Sequence, residues 1–198
     1  MSDPEQPGSS DDVPHWEELG SEKIADCRIF DVHSKRFRHP IRDTESDFYV
    51  IQTRDWVNVV PVTESHEIVL VKQFRFGVKR NSWEIPGGVM EPGEDPLEAG
   101  LREMAEETGY TTESARLLGS VRPNPAIQSN TCHFVVAERV RLNATLDWDE
   151  HEEIVAKAFP IDEVYEMVRQ GEIYHSLALN ALLLFYPEWE KIRARRRN

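Results

Sequence analysis

The chain of 198 residues has little of what marks secreted, membrane or nucleic-acid-binding proteins. Its two cysteines, Cys27 and Cys132, are too few for a disulfide framework, which favours a reducing, cytoplasmic location. No apolar run approaches the length of a membrane span, and the opening MSDPEQPGSSDDVP lacks the apolar centre of a signal peptide. The composition therefore predicts a protein with no membrane partner.

Positive charge is also scarce, since 23 lysines and arginines face 36 aspartates and glutamates, a formal net charge of −13. An acidic surface of this kind repels long polyanions, so we expect no nucleic-acid partner. A small anionic substrate bound through a metal ion is compatible with it. The length suffices for one core with a modest addition, but not for two full domains.

What the chain does have is a concentration of glutamate in residues 88–110, GVMEPGEDPLEAGLREMAEETGY. Asp95 suits the N-cap of a helix, Pro96 suits its first position, and Gly109 suits its end. At about 100° per residue, one face of that helix is expected to pack against the protein body. This face carries Leu97, Leu101, Met104 and Thr108.

Three glutamates of this helix, Glu103, Glu106 and Glu107, project from a different side. Arg102 can pair at a spacing of four with Glu98 or Glu106, but like charges three or four residues apart repel one another. A divalent cation would reverse that repulsion, and ligands without histidine or cysteine favour Mg²⁺ or Mn²⁺. The alternative interpretation is a solvated acidic helix face.

The spacing of the whole string resembles the Nudix box, Gx5Ex7REUxEExGU, in which U is a bulky apolar residue. The matching positions are Gly88, Glu94, Arg102, Glu103, Met104, Glu106, Glu107, Gly109 and Tyr110. The resemblance implies a loop-helix-loop that holds Mg²⁺ or Mn²⁺ against a diphosphate. It implies four metal ligands, of which Glu106 also counts as catalytic: Glu103, Glu106, Glu107 and the backbone carbonyl of Gly87. Arg102 would orient a neighbouring glutamate.

Strand-like patterns flank the box on both sides. Before it they cover residues 23–32, 35–39, 47–53, 56–63 and 67–74, and after it 131–140 and 153–160. Two helices are predicted near the end, one from Pro160 to about Arg169 and one from about Ser176. The second carries apolar residues before Pro187 and has a basic end in Arg193, Arg195, Arg196 and Arg197. This order resembles the Nudix fold, an α/β/α sandwich with a mixed central sheet, here with a small N-terminal antiparallel sheet.

The predicted organisation has three parts, a disordered leader over residues 1–19, an N-terminal sheet over 20–53 and a Nudix hydrolase domain over 54–198. The 20–53 region resembles the extra sheet of the ADP-ribose and nucleoside diphosphate sugar pyrophosphatases. In that branch the sheet commonly exchanges between the subunits of a homodimer. The resemblance therefore implies a homodimer.

Four residues outside the box are candidates for substrate binding by the same resemblance. Arg75, in VLVKQFRF, would approach the diphosphate, and Glu84, in WEIPGG, would hydrogen-bond the substrate or support the metal cluster. Phe30 would stack on the base. Pro125, sixteen residues after Gly109 (125 − 109), favours ADP-ribose, although the loop around it departs from the serine- and glycine-rich stretch of strict ADP-ribose enzymes.

The general base is expected in the acidic segment DWDEHEEIVAKAF, where Glu152 is preferred and Glu153 is the alternative. The alternative interpretation of this segment is a solvated acidic loop without a catalytic role. The resulting hypothesis is Mg²⁺-dependent hydrolysis of ADP-ribose or nucleoside diphosphate sugars to a nucleoside monophosphate and a sugar phosphate. Alternatives are action on dinucleoside polyphosphates or coenzyme A, a noncatalytic nucleotide-sensing module, and an interaction protein.

Overall fold

A computed structural model describes residues 13–147 and 153–196. The chain divides into two compact units. The N-terminal unit contains the described residues up to Thr53 together with Ala126–Ser129. The other contains Arg54–Pro125 and the described residues from Asn130 onward, and is named the catalytic unit after the hydrolase domain that the sequence predicts there.

The N-terminal unit is a three-stranded antiparallel sheet of β1 (Glu17–Asp26), β2 (Asp31–Arg38) and β3 (Glu45–Gln52), in the order β1-β2-β3. The predicted small antiparallel sheet is thereby confirmed. Its first strand begins at Glu17, three residues before the predicted start at residue 20 and inside the stretch assigned to a disordered leader.

The single strand predicted over 23–32 is wrong, because the chain reverses between β1 and β2. The Asp26 carboxylate accepts a hydrogen bond from the Arg28 backbone N–H at 3.1 Å, and Arg28 has a φ of 65°. The Cys27 N–H then donates to the Phe30 carbonyl at 2.9 Å and closes the turn. An aspartate that bonds its own backbone two residues on makes a turn that alternation alone does not reveal.

The catalytic unit is built on a larger mixed sheet. The remaining strands are β4 (Trp56–Val62), β5 (Glu67–Arg75), β6 (Arg80–Glu84), β7 (Gly87–Val89), β8 (Tyr110–Thr111), β9 (Ser114–Val121), β10 (Cys132–Glu138), β11 (Arg141–Leu142) and β12 (Val155–Pro160). The main sheet has the order β12-β5-β4-β10-β9, with β6 paired to β5 and β7 to β4. Strands β4 and β10 are parallel and the other pairs antiparallel, while β8 and β11 form a separate ribbon.

Helices cover both faces of this sheet, namely α1 (Pro96–Thr108) on one side and α2 (Ile161–Arg169) with α3 (Ser176–Arg196) on the other. Alternate residues of the central strands serve the two cores. Val60 and Val136 belong to the core under α2 and α3, whereas Val59 and Val135 belong to the core under α1. Strands buried on both faces read as continuous apolar runs. The predicted α/β/α sandwich with a mixed sheet is confirmed.

Helix α1 approaches the sheet through a glycine. A Cβ on Gly100 would lie 3.1 to 3.2 Å from methyl groups of Val57, Val59 and Val135, so the helix lies close to the strands. Met104 is fully buried as predicted, but Leu97 and Leu101 are only partly buried. The buried face is therefore turned from the predicted stripe, because the hydrogen side chain of glycine permits the closest contact.

Helix α3 begins at the predicted Ser176 and continues through Pro187 to Arg196. Trp189, beyond the proline, is buried, and its indole N–H donates to the Asp162 carboxylate at 3.1 Å. Burial of this large side chain offsets the lost backbone hydrogen bond at the proline. Among the described helices, none is both long enough and apolar enough to cross a membrane.

Candidate active site

The box helix is held at both ends by the residues that the sequence indicates. The Asp95 carboxylate accepts a hydrogen bond from the Leu97 N–H at 2.8 Å, which confirms it as the N-cap. Gly109 adopts the left-handed conformation with a φ of 73°, and its N–H donates to the Ala105 carbonyl at 2.9 Å. The helix between these caps carries three glutamates of the box, Glu103, Glu106 and Glu107.

Arg102 is the centre of a four-residue ionic cluster. Its Nε and Nη2 donate to Oε1 and Oε2 of Glu94 at 2.9 and 3.0 Å, a two-point pairing. Its Nη1 donates to Glu103 at 2.9 Å and to Glu106 at 3.1 Å. The predicted pair of Arg102 with Glu106 is confirmed, whereas Glu94 rather than Glu98 supplies the other partner.

These contacts shift the titration of both partners. Hydrogen bonding to Glu94 raises the pKa of the Arg102 guanidinium, further supported by Glu103. Hydrogen bonding from Arg102 lowers the pKa of Glu94. Both groups therefore stay charged at neutral pH, and the glutamates of the helix are held by a permanent positive charge.

Two adjacent glycines let the backbone of β7 approach the box glutamates. The Gly87 N–H donates to Oε2 of the buried Glu107 at 2.9 Å. A Cβ on Gly88 would lie 2.4 Å from Oε2 of Glu103. A Cβ on Gly87 would lie 2.2 Å from the Val57 carbonyl oxygen, so a side chain there would collide with the backbone, whereas a side chain at Gly88 would displace the Glu103 carboxylate. Glu103 and Glu107 thus both lie against the Gly87–Gly88 backbone.

The donor set of this site fits a hard divalent cation by its chemistry and its charge. Three carboxylates, those of Glu94, Glu103 and Glu106, contact the Arg102 guanidinium, and that of Glu107 accepts from the Gly87 N–H, a formal balance of 1 − 4 = −3. All are oxygen donors, as Mg²⁺ and Mn²⁺ prefer. Within residues 13–147 and 153–196, no group of three acidic, histidine or cysteine side chains is positioned to hold a metal ion. The carboxylates that contact Arg102 and Gly87 would have to turn toward one.

Arg75 and Glu84, both predicted to contact substrate, contact each other. Arg75 Nε and Nη2 donate to Oε1 and Oε2 of Glu84 at 2.9 and 2.6 Å. The Glu84 side chain is 1% exposed, whereas the Arg75 side chain is 39% exposed. The buried Glu84 carboxylate therefore anchors the partly exposed Arg75 guanidinium. A direct substrate contact by Glu84 stays a prediction.

The other predicted site residues are less closely defined. Phe30 is half-buried in the N-terminal unit, directly before β2, and Pro125 is exposed in a turn of the catalytic unit. Glu152 lies outside the described residues. Glu153 is exposed beside the buried Ile154, just before β12. The roles assigned to these four, and the metal-ligand roles of Gly87, Glu103, Glu106 and Glu107, stay predictions.

Two residues of this region were missed by sequence reasoning. The pairing of Glu94 with Arg102 has a signal, because Glu94 occupies a fixed position of the box. His175 has none, since it lies 91 residues after Glu84 in the chain (175 − 84), yet its Nδ1 is 3.5 Å from Oε2 of Glu84. Burial and, to a lesser degree, the charge of Arg75 lower the pKa of His175, while Glu84 raises it.

Comparisons with known proteins agree with this geometry. The family model described as the NUDIX domain matches residues 52–177. The chain is 28% identical to the ADP-ribose pyrophosphatase of Bacillus subtilis (strain 168) over 167 residues, 84% of this chain and 87% of that protein. It is 25% identical to the ADP compounds hydrolase NudE of Escherichia coli (strain K12), over 89% of this chain and 94% of that protein.

A solved structure supports the fold independently. The crystal structure titled as that of an ADP compounds hydrolase superposes with a TM-score of 0.82, covering 94% of this chain and 100% of that one. Its identity of 23% makes this a likeness of fold. With the intact box, the paired glycines and a family match over more than half its length, the chain belongs to the NUDIX domain family of hydrolases.

Proposed function

We propose that this protein hydrolyses the diphosphate bond of ADP-ribose or related nucleoside diphosphate sugars, with Mg²⁺ or Mn²⁺ as cofactor. The observation that carries the proposal is the convergence of Glu103, Glu106 and Glu107 around Arg102 and the Gly87–Gly88 backbone. The choice of ADP-ribose is supported by the relatives that cover most of the chain, which are named for ADP-ribose and for ADP compounds.

In this proposal Glu103, Glu106 and Glu107 hold the cation together with the Gly87 carbonyl. When bound, Mg²⁺ supplies positive charge against the diphosphate oxygens and makes the attacking water more acidic. Arg102 keeps Glu103 and Glu106 in place through Nη1, with Glu94 as the anchor of the guanidinium. A hard cation suits this set better than a soft one, because every donor is an oxygen.

Substrate binding is assigned to residues beyond the box. The partly exposed Arg75 guanidinium, held by Glu84, binds oxygens of the diphosphate, a task for which its planar fork is suited. Phe30 is assigned to stacking on the base, and Pro125 to shaping the loop that meets the ribose.

The reaction is the addition of one water molecule across a phosphate anhydride. The water oxygen forms a bond to one phosphorus, the bond from that phosphorus to the bridging oxygen breaks, and the bridging oxygen leaves with the other phosphate. A carboxylate, Glu152 or Glu153, accepts the proton of the water. For ADP-ribose the products are AMP and ribose 5-phosphate.

We also infer that the protein is a homodimer formed through its N-terminal sheet. All ten residues of β1 are exposed in the single chain, and exposed apolar side chains on this sheet include Leu19, Ile24, Phe48 and Tyr49. Exposed apolar surface of this kind favours association. The two free thiols, Cys27 and Cys132, support a reducing compartment such as the cytoplasm.

A substrate panel tests the proposed activity. Purified protein is incubated with ADP-ribose, GDP-mannose, UDP-glucose, a dinucleoside polyphosphate or coenzyme A, each with Mg²⁺ and with Mn²⁺, and products are separated by chromatography. We expect the highest kcat/KM with a nucleoside diphosphate sugar. Preference for coenzyme A or the dinucleoside polyphosphate would favour the runner-up activity. Binding without turnover of any compound would favour a nucleotide-sensing module.

A further inference from the structure

A histidine that lies just before α3 reaches the ion pair between Arg75 and Glu84. His175 Nδ1 is 3.5 Å from Oε2 of Glu84. The His175 backbone is fixed, because its carbonyl accepts the Leu179 N–H at 3.0 Å in the first turn of α3. The ring therefore belongs to an element that is distant in sequence from both partners of the pair.

The ring nitrogen that faces Glu84 has no other hydrogen-bond partner among the described residues. Nδ1 of His175 is buried and unpaired, and 3.5 Å is slightly beyond a good hydrogen bond. Leaving a buried donor unsatisfied is costly, so a small rotation of the ring toward the carboxylate is favourable. Burial also lowers the pKa of His175, which favours the neutral ring at neutral pH. In a neutral ring the hydrogen-bond partner decides which nitrogen carries the proton.

The segment before α3 is attached to the strand that ends in Glu84. The Tyr174 hydroxyl donates to the Asn81 carbonyl of β6 at 3.2 Å, and the Arg80 guanidinium lies 4.1 Å from the centre of the Tyr174 ring. Ile173 is buried in the core. These contacts hold the segment against β6, so the position of His175 is coupled to that of Glu84.

We infer that His175 is a positioning residue whose Nδ1–H donates to Oε2 of Glu84, fixing the carboxylate that holds Arg75. The consequence for substrate rests on the proposed function, in which Arg75 binds the diphosphate. His175 then acts through two side chains without touching the substrate. Loss of the contact weakens diphosphate binding more than it slows the chemical step.

Two substitutions separate this role from simple packing. His175→Asn places an amide N–H near the position of Nδ1, whereas His175→Phe keeps a planar ring and removes the donor. We expect the KM for ADP-ribose to rise about tenfold in H175F, since a tenfold change corresponds to the loss of a typical hydrogen bond. Its kcat should stay within about twofold of the parent, and H175N should keep a KM within about threefold.

Two kinetic results would overturn the inference. One is an unchanged KM in H175F, which would make packing alone sufficient. The other is an H175N variant as impaired as H175F, which would show that the donor at the Nδ1 position is not what matters.

A second measurement does not depend on the substrate. ¹⁵N NMR of the histidine rings in the metal-free protein reports which nitrogen carries the proton. We expect the Nδ1–H tautomer for His175, with the H175N spectrum assigning the signal. A parental His175 in the Nε2–H tautomer would overturn the inference even if ADP-ribose is hydrolysed. If the protein instead fails to hydrolyse ADP-ribose, the proposed function fails while the tautomer still decides the contact with Glu84.

Discussion

Two arginines of the catalytic unit are both held by carboxylates, but in opposite ways. Arg102 contacts three glutamates, and the cluster keeps an excess of negative charge. Arg75 makes a two-point pair with the single buried carboxylate of Glu84, so the pair itself is neutral. The first arrangement attracts a cation, whereas the second fixes the place of a positive group that anions can approach.

The two clusters also differ in how they arise along the chain. The partners of Arg102 lie within residues 94–106, on one loop and one helix, so local geometry brings them together. Glu84 lies opposite Val71 in the β5–β6 pairing, four residues before Arg75 on the same strand (75 − 71), and the long arginine side chain reaches it diagonally. His175 joins from a different layer. The comparison separates charge set by a motif from position set by the fold.

The largest expected effect removes charge from the Arg102 cluster. Glu106→Gln keeps the shape of the side chain but loses a proposed metal ligand, so kcat should fall by about 10²- to 10³-fold, the range for losing one electrostatic contact in an active site. Turnover of ADP-ribose is measured at saturating Mg²⁺. The matched control is Glu98→Gln, an exposed glutamate of the same helix, which should stay near the parental rate. Parental turnover by E106Q would remove the assigned metal role.

A smaller effect is expected from changing the arginine itself. Arg102→Lys keeps the charge but loses the two-point contact with Glu94, and the glutamates that it holds become less well oriented. Substitution of a residue that orients metal ligands typically lowers metal affinity by about 10- to 100-fold. Titration calorimetry with Mg²⁺ checks the prediction. Arg116→Lys, which alters the pair between Arg116 near the start of β9 and Glu188 of α3, is the control and should bind Mg²⁺ normally.

Loss of the ion pair between Arg75 and Glu84 should lower the free energy of unfolding. Glu84→Gln removes the charge of the buried carboxylate from its two-point contact with Arg75, and breaking a buried pair costs about 3–5 kcal/mol when both groups are buried. Because the Arg75 side chain is 39% exposed, water compensates part of that loss, and we expect about 2 kcal/mol less free energy of unfolding in urea. Glu45→Gln, which changes a carboxylate in exposed ion pairs, is the control and should lose much less stability. Equal losses in both variants would contradict the distinction.

The smallest effect concerns pH. Arg102 lowers the folded-state pKa of Glu94, so this pair contributes stability above the unfolded-state pKa of a glutamate, near pH 4.3, and the contribution disappears as pH falls through the lower folded value. Chemical unfolding of the parent and of Glu94→Gln is compared from pH 7 to pH 3. We expect the parent to have the larger free energy of unfolding above about pH 5, and the difference between the two proteins to shrink toward pH 3. A difference that does not change with pH would mean that the charge of Glu94 contributes nothing.

Sequence reasoning was most successful where neighbouring residues determine the structure. The caps at Asp95 and Gly109 and the strand positions of β4, β5 and β10 follow from local preferences and apolar patterns. It was wrong where a longer-range contact or a side chain in a turn decides. The reversal near Arg28 depends on the Asp26 carboxylate, and the buried face of α1 depends on the close approach of Gly100 to the sheet.

The amino-acid order alone determined the box helix, the identity of its oxygen donors and the family, because these depend on spacings within about two turns of helix and one loop. Only the tertiary structure decided that Gly87 and Gly88 lie against Glu107 and Glu103, and that Glu84 pairs with Arg75. The physical reason is that these contacts join elements whose separation in space is set by sheet register and helix packing. No pattern of neighbouring residues records either one.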